Sequence, residues 1–519
     1  MRGAHDLLLN TLRASDGNIG AATGGGGGGV ITLNTIAFTT VINGWARSNY
    51  GDAAEKAQDL LSTMSSLYAK GDVQCKPNAF TFSGVIRAVV RSVKRGAAKS
   101  AAEGAALRAE ALLRLMDRLY AEEGDADVMP DSILFTTVMN AWANVGDGDS
   151  AERAEALLRR MEHLHSRGEA RIKPDAVAYS SAIKAWTRAA SSGYRGGGSR
   201  PDAPERAEAL LREMERRYGE TGDPDVRPDT IAYTSIIRAW TKGRGGGRGG
   251  RSGDAGRMGA ERAEQLLLNL EAQYEATGVE DVKPDAVAYG TVINAWAESG
   301  ARGSAERAAS LLRRMSNLHK STGDNDIKPD AVAYTAVIKA MVAAGRRGEA
   351  GSEDNAERVL RRMERLYEET GDEDIRPDVV TYGTVIDAWA ECSKPGGAGR
   401  AVALLRVMEE MHARGDGNVR PNAVSCTSVI KAFVNDPEVS GNEASAFSEE
   451  LLAIMMSQCL EEGDVMLRPT ERTFQWARIA AESGGDAEAV ERIESMRCEI
   501  IGGGQRRRSG AGLGSAGNI

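Results

Sequence analysis

The chain has 519 residues, 42% hydrophobic and 27% charged. It is too long for one compact core and apolar enough to fold along most of its length, so several domains or a repeat array are the options. The net charge of −9 excludes a uniformly basic surface, though nucleic-acid binding depends on where cations stand more than on their total. The five cysteines, Cys75, Cys392, Cys426, Cys459 and Cys498, are widely spaced and contain no CxxC pair. They support neither a disulfide framework nor a zinc site, and they point to a reducing compartment. No uncharged stretch approaches the roughly 18 residues a membrane span requires, and no residue set calls for a cofactor.

In chain order, residues 1–34 come first. His5–Leu12, HDLLLNTL, reads as the second helix of a hairpin whose first helix is missing, so the chain begins in mid-repeat and its N-terminus is expected to be incomplete. Arg2, Asp6, Arg13 and Asp16 interrupt any signal core and do not make a convincing transit peptide. The run Gly24 to Gly29 reads as a flexible linker.

Residues 35–470 hold nine copies of one unit. Eight anchors of the type Lys/Arg/Met-Pro-Asp/Asn stand at Pro77, Pro130, Pro174, Pro228, Pro284, Pro329, Pro377 and Pro421, and a weaker one stands at Pro469; neighbours lie 44 to 56 residues apart. The copy at Leu33–Ala46, LNTIAFTTVINGWA, lacks the proline and keeps the rest. A first helix follows each anchor, with Asp175 as an N-cap and Tyr179, Ile183 and Trp186 at helical spacing. Trp recurs at this place as Trp45, Trp142, Trp240, Trp296 and Trp389, as expected of an inter-helix core. A second helix reads AERAEALLRRMEHL at Ala151–Leu164, with Gly222, Gly323 and Gly371 as left-handed C-caps of other copies. The Leu-Tyr pairs Leu119-Tyr120 and Leu366-Tyr367 read as an extension of it. Gly-rich inserts at Ser191–Ser199 and Gly243–Gly256 fall between helices as surface excursions; Arg244, Arg248 and Arg251 read as flexible filler or as an RGG-like segment. Residues 471–501 are a degenerate last repeat, and 502–519 are expected to be a disordered tail. One hairpin cannot bury its own apolar face, so the expectation is an all-α solenoid of about ten helix-turn-helix units.

The string Pro-Asp-x-Val-x-Tyr-x-x-x-Ile, followed by Ala-x-x-x-Leu-Leu-x-x-Met, resembles the pentatricopeptide repeat over about residues 35 to 500. Every unit is longer than the roughly thirty-five residues of that family. The resemblance implies a right-handed superhelix that binds single-stranded RNA along its first helices, one base per unit. It further implies that an aliphatic residue sandwiches each base, here Ile36, Phe80, Ile133, Val177, Ile231, Val287, Val332, Val380 and Val424. Two residues would select the base. These pairs are Thr39 with Asn78, Ser83 with Asp131, Thr136 with Asp175, Ser180 with Asp229, and Thr234 with Asp285. They continue with Gly290 and Asp330, Thr335 and Asp378, Gly383 and Asn422, and Thr427 and Thr470. In the family, Thr or Ser with Asp goes with guanine and Thr with Asn with adenine, which suits a carboxylate that only accepts and an amide that also donates.

The same residues also have a structural reading. Asp, Asn and Thr after the proline are good N-caps, and Thr, Ser and Gly after the aromatic suit close packing. Arg47, Arg91, Arg188 and Lys242 stand where phosphates would pass, with Arg87, Lys184, Arg238, Lys339 and Lys431 one turn nearer the base positions; a solvated face accounts for them equally. No catalytic constellation is present. The expectation is a non-enzymatic adaptor for single-stranded RNA, with other RNA-processing proteins as further partners and no membrane or small-molecule substrate. Family analogy implies a mitochondrion or chloroplast. The alternative is a protein–protein scaffold with a peptide in its groove.

Overall fold

A computed structural model describes residues 2–15, 34–48, 50–93, 98–192, 200–245, 254–460 and 464–510. Among them are twenty-one α-helices and no strand. α1 (Arg2–Ser15) is followed by α2 (Thr35–Arg47) and α3 (Ala53–Ala69), α4 (Ala79–Arg91) and α5 (Lys99–Glu123), and α6 (Ser132–Val145) and α7 (Gly148–Ser166). Then come α8 (Ala176–Ser192) and α9 (Ala203–Thr221), α10 (Thr230–Gly245) and α11 (Asp254–Thr277), and α12 (Ala286–Ser299) and α13 (Ser304–Thr322). The chain closes with α14 (Ala331–Arg346) and α15 (Ser352–Thr370), α16 (Val379–Glu391) and α17 (Gly397–Ala413), α18 (Ala423–Asn435) and α19 (Gly441–Leu460), and α20 (Glu471–Gly484) and α21 (Ala487–Gly510). Even-numbered helices are the first helices of the units and odd-numbered ones the second.

The contacts divide the chain into two bodies, Met1–Arg248 with Leu268–Lys283, and Gly249–Leu267 with Pro284–Ile519. In the first body α2, α4, α6, α8 and α10 pack side by side in sequence; in the second, α12, α14, α16, α18 and α20 do the same. Each second helix lies against first helices through a buried Ala, Leu and Met stripe such as Ala154, Leu158 and Met161. Gly222, Gly323 and Gly371 end their helices at φ of 64°, 68° and 65°, a backbone state that glycine adopts without steric cost.

In α8, α10, α12 and α16, aromatic residues of the first helix are clamped by carboxylates of the preceding second helix. The indole N–H of Trp186 donates to Glu155 at 2.9 Å, Trp240 to Glu208 at 3.0 Å, Trp296 to Glu264 at 2.9 Å and Trp389 to Glu357 at 3.0 Å. Seven residues along the same helices, Glu162 and Glu364 each accept from the phenols of Tyr179 and Tyr382 at 2.6 Å, and Glu215 accepts from Tyr233. Burial, and then the carboxylate, pushes these three phenols up, so they stay protonated donors. An Arg of the following second helix closes three of these clamps: Arg206 lies over Trp186 and 3.4 Å from Glu155, Arg307 over Trp296 and 3.3 Å from Glu264, and Arg400 over Trp389 and 3.4 Å from Glu357. The chain itself shows the coupling. Where Val89, Met341 or Phe433 replaces Trp, the clamp position holds Gln58, Ala309 or Val402. Trp45 instead donates to Nδ1 of His5 in α1, at 3.3 Å, so α1 sits against α2 where a second helix belongs.

The long units have two causes. The second helices do extend through Leu119-Tyr120 and Leu366-Tyr367. A short 3-10 turn then follows in most units, for example Glu373–Ile375, capped by Asp372 and burying Ile375. The Lys or Arg before the anchor proline reaches the turn's Asp in the next unit: Lys76 to Asp125 at 2.5 Å, Lys173 to Asp223 at 2.6 Å, Lys328 to Asp372 at 2.5 Å, and Arg376 to Asp416 at 2.8 Å. α21 continues to Gly510, past Gly502, where composition placed the onset of a disordered tail; 511–519 lie outside the described residues. The Gly24–Gly29 linker and most of both Gly-rich inserts, 193–199 and 246–253, lie outside them as well.

Candidate nucleic-acid interface

The nine expected base-sandwiching residues share one position in the first turn of α2 and its successors through α18. All nine are exposed, from 48% at Val287 to 75% at Ile36. Two residues later the aromatic or its equivalent, such as Phe38, Tyr179 or Tyr382, is 3% exposed or less. Helical geometry separates these residues by about 200°, so when the aromatic enters the core its neighbour two before faces out. Repeated exposure of apolar side chains at one register is not what packing selects, and rows of this kind mark binding surfaces.

The residue after each anchor proline caps the first helix. Oδ1 of Asp131, Asp175 and Asp330 accepts the N3 backbone N–H at 2.8 Å, and that of Asp229 and Asp285 at 2.7 Å. In none of these five does Oδ2 have an intramolecular partner among the described residues. The cap therefore engages half of the carboxylate and leaves an acceptor free, so capping and base reading are compatible.

The hydroxyls beside them are also oriented. Thr136 donates to Ser132 O at 2.6 Å and Thr234 to Thr230 O at 2.7 Å. In three units the link crosses to the next first helix. Thr81 Oγ1 donates to Asn78 Oδ1 at 2.9 Å, so Thr39, 3.0 Å away, must donate to Thr81. Thr381 Oγ1 donates to Asp378 Oδ1 at 2.7 Å, and Thr335 is 3.0 Å from Thr381. Thr427 lies 2.8 Å from Thr473, which is 2.9 Å from the cap Thr470. In the first two units the hydroxyl hydrogens are used inside the protein, and only lone pairs remain, on a half-buried Thr39 and on a Thr335 that is 8% exposed. Thr335 with Asp378 then offers acceptors only, matching a donor-rich edge such as guanine N1–H and N2–H₂. Thr39 with Asn78 offers an acceptor and, through Nδ2, a donor, as adenine N1 and N6 require.

Other members of the set differ. Ser180 Oγ is enclosed and has no hydrogen-bond partner among the described residues, and Ser83 is half-buried. Beyond their own helix backbone and chain neighbours, Gly290 and Gly383 have no atom of the described residues within 4 Å of the place a Cβ would take, so both positions are open space. Gly383 and Asn422 lie together in a cleft with Val380, Val424, Thr427 and Thr470.

The cations divide. Arg91 donates to Ala46 O at 3.2 Å and Arg188 to Ala143 O at 3.3 Å; both thus tie down the C-terminal carbonyls of the preceding first helix. Arg87 reaches Asn43 Oδ1 at 3.2 Å. Lys431 is buried and lies 2.5 Å from Glu391. Arg47 and Lys242 are exposed and make no ion pair with described residues. The acidic excess has a structural location: its carboxylates clamp Trp and Tyr, hold the inter-unit Lys and Arg, and cap helices.

No protein-family model matches the chain, and no curated protein matches it in sequence. Among the described residues there is no group of three or more His, Cys, Asp or Glu placed to hold a metal ion, and no helix is long and apolar enough to cross a membrane.

Sequence reasoning missed three features. The bridging hydroxyls of Thr81, Thr381 and Thr473 were hidden because the same register holds Leu134 or Ala178 in other units. The Glu clamps carried no local signal, since each accepts from a Trp 31 or 32 residues further on. The anchor Lys and Arg were read only as part of the proline anchor, but they pair with the next unit's Asp.

Proposed function

We propose that the chain is a pentatricopeptide-like right-handed solenoid of about ten units and that it binds single-stranded RNA base by base along its first helices. The observation that supports this best is the repeated pairing of an exposed apolar side chain with a helix cap that keeps one polar atom free. An apolar wall beside a directed acceptor suits a planar base with a hydrogen-bonding edge. A peptide groove needs the apolar row but gives the free cap atoms no task. The pairs specify a purine-rich strand, A-G-G-G-G-N-G-N-N from the 5′ end. The role is that of an adaptor acting on a transcript, in a mitochondrion or plastid by the family analogy. The test is equilibrium binding of this strand, of its duplex and of a pyrimidine strand across a salt series. The purine strand should bind tightest, and its affinity should fall as salt rises through counterion release. Equal affinity for the duplex, or binding only to peptides, overturns the reading.

A further inference from the structure

α20 departs from the other first helices at two places. Seven residues after the anchor, the earlier units carry Gly, Ser, Thr or Ala, as at Thr384 in α16 and Ser428 in α18; α20 carries Trp476. Three residues after the anchor, where the earlier units expose an apolar side chain, α20 carries Arg472. Core packing does not explain this Trp. The six clamp-position tryptophans are each 6% exposed or less, whereas Trp476 is only half-buried. Its indole forms a wall of a cleft of about 450 Å³ whose other walls include Val380 and Val424. The missing side chain of Gly383 leaves the cleft open. The Lys431 ammonium lies 5.7 Å from the Trp476 ring centroid. Arg472 stands one helical turn before Trp476 on the same face, exposed and without an ion pair among the described residues.

We infer that Arg472 and Trp476 form a terminal stacking platform for an unpaired nucleobase, the ninth of the strand, held between Val424 and the platform. The inference rests on the RNA reading and adds a residue set outside the repeated pairs. A flat π face accepts any base, and a free guanidinium stacks on a base or meets its phosphate. This compensates for a unit whose selecting pair, Thr427 with Thr470, is engaged inside the protein: Thr427 donates to Ala423 O at 2.5 Å, and both hydroxyls contact Thr473.

The experiment uses the full chain and a nine-nucleotide RNA, AGGGGAGAA, in lithium buffer to prevent quadruplexes, alongside the same RNA with an abasic ninth position. Trp476→Ala should weaken the intact RNA about 5- to 150-fold and leave affinity for the abasic RNA unchanged. Trp476→Leu, which keeps apolar volume without a π face, should behave like the alanine variant, and Trp476→Phe should stay near wild type. Intrinsic tryptophan fluorescence of the wild type should change on binding, and Trp476→Phe should abolish that change. Equal losses on both RNAs, or no loss on either, overturn the platform while leaving the RNA reading intact. Failure of the wild type to bind any single strand overturns both.

Discussion

Trp186 in α8 donates its indole N–H to Glu155 in α7 at 2.9 Å, so this unit is fastened to the one before it by a buried polar contact. Arg206 joins from α9, 3.4 Å from the same carboxylate. Glu155→Ala removes the acceptor and leaves a buried indole donor unsatisfied. The expected cost is about 1–3 kcal/mol, read as a lower denaturant midpoint, and Glu155→Gln should recover part of it. A midpoint equal to wild type for the alanine variant contradicts the clamp.

The inter-unit ion pairs make acid stability predictable. The Lys328 ammonium beside Asp372, and the Lys173 ammonium beside Asp223, hold those carboxyls below the usual carboxylate range. A folded-state value below the unfolded value of about 3.9 means that the contribution is fully present above that pH and is lost as pH falls through the folded value. Melting curves taken between about pH 6 and pH 2 should therefore fall less steeply for Asp372→Asn than for wild type. Parallel curves contradict the pairing.

Asp175 caps α8 through Oδ1 alone, 2.8 Å from the Ala178 N–H. Asn caps equally well, but its remaining atom donates where the Asp oxygen accepts. Asp175→Asn should leave melting unchanged and move the third-base preference from guanine to adenine, a shift of about 1–3 kcal/mol, or 5- to 150-fold in relative affinity. Competition between two RNAs that differ only there decides it. If both proteins rank the RNAs alike, Asp175 is a cap and nothing more.

Thr381 aligns the seventh pair. Thr381→Ala leaves the backbone cap on Asp378, 2.8 Å from the residue's own N–H, and removes the hydroxyl to which Thr335 donates. Thr335 then turns its hydrogen freely, and the guanine preference at the seventh base should fall about 2- to 12-fold. Unchanged selectivity in the same competition format removes the bridge from the account.

Much of this was legible in the sequence. The helical pairs follow from the recurrence of Tyr179, Ile183 and Trp186 at helical spacing, and the caps follow from the Asp, Asn or Thr after each proline. The 3-10 turns were not legible, since Gly-Asp-Glu-Asp at 371–374 reads as a loop until Ile375 is seen to be buried. Nor were the partners of Glu155 or Lys328, because a side chain 31 or 44 residues away in sequence leaves no local trace. Periodicity reports which face of a helix is buried; it does not report which charge is used there. Acidic composition therefore appeared opposed to nucleic-acid binding, whereas many of those carboxylates lie in the seams.

The most direct measurement is selection from a random single-stranded RNA pool by the full chain, in lithium buffer, followed by sequencing. The account predicts enrichment of A-G-G-G-G-N-G-N-N, with the positions of Gly290 and Gly383 left open. Enrichment of pyrimidine runs, or a pool that stays unselected, contradicts it.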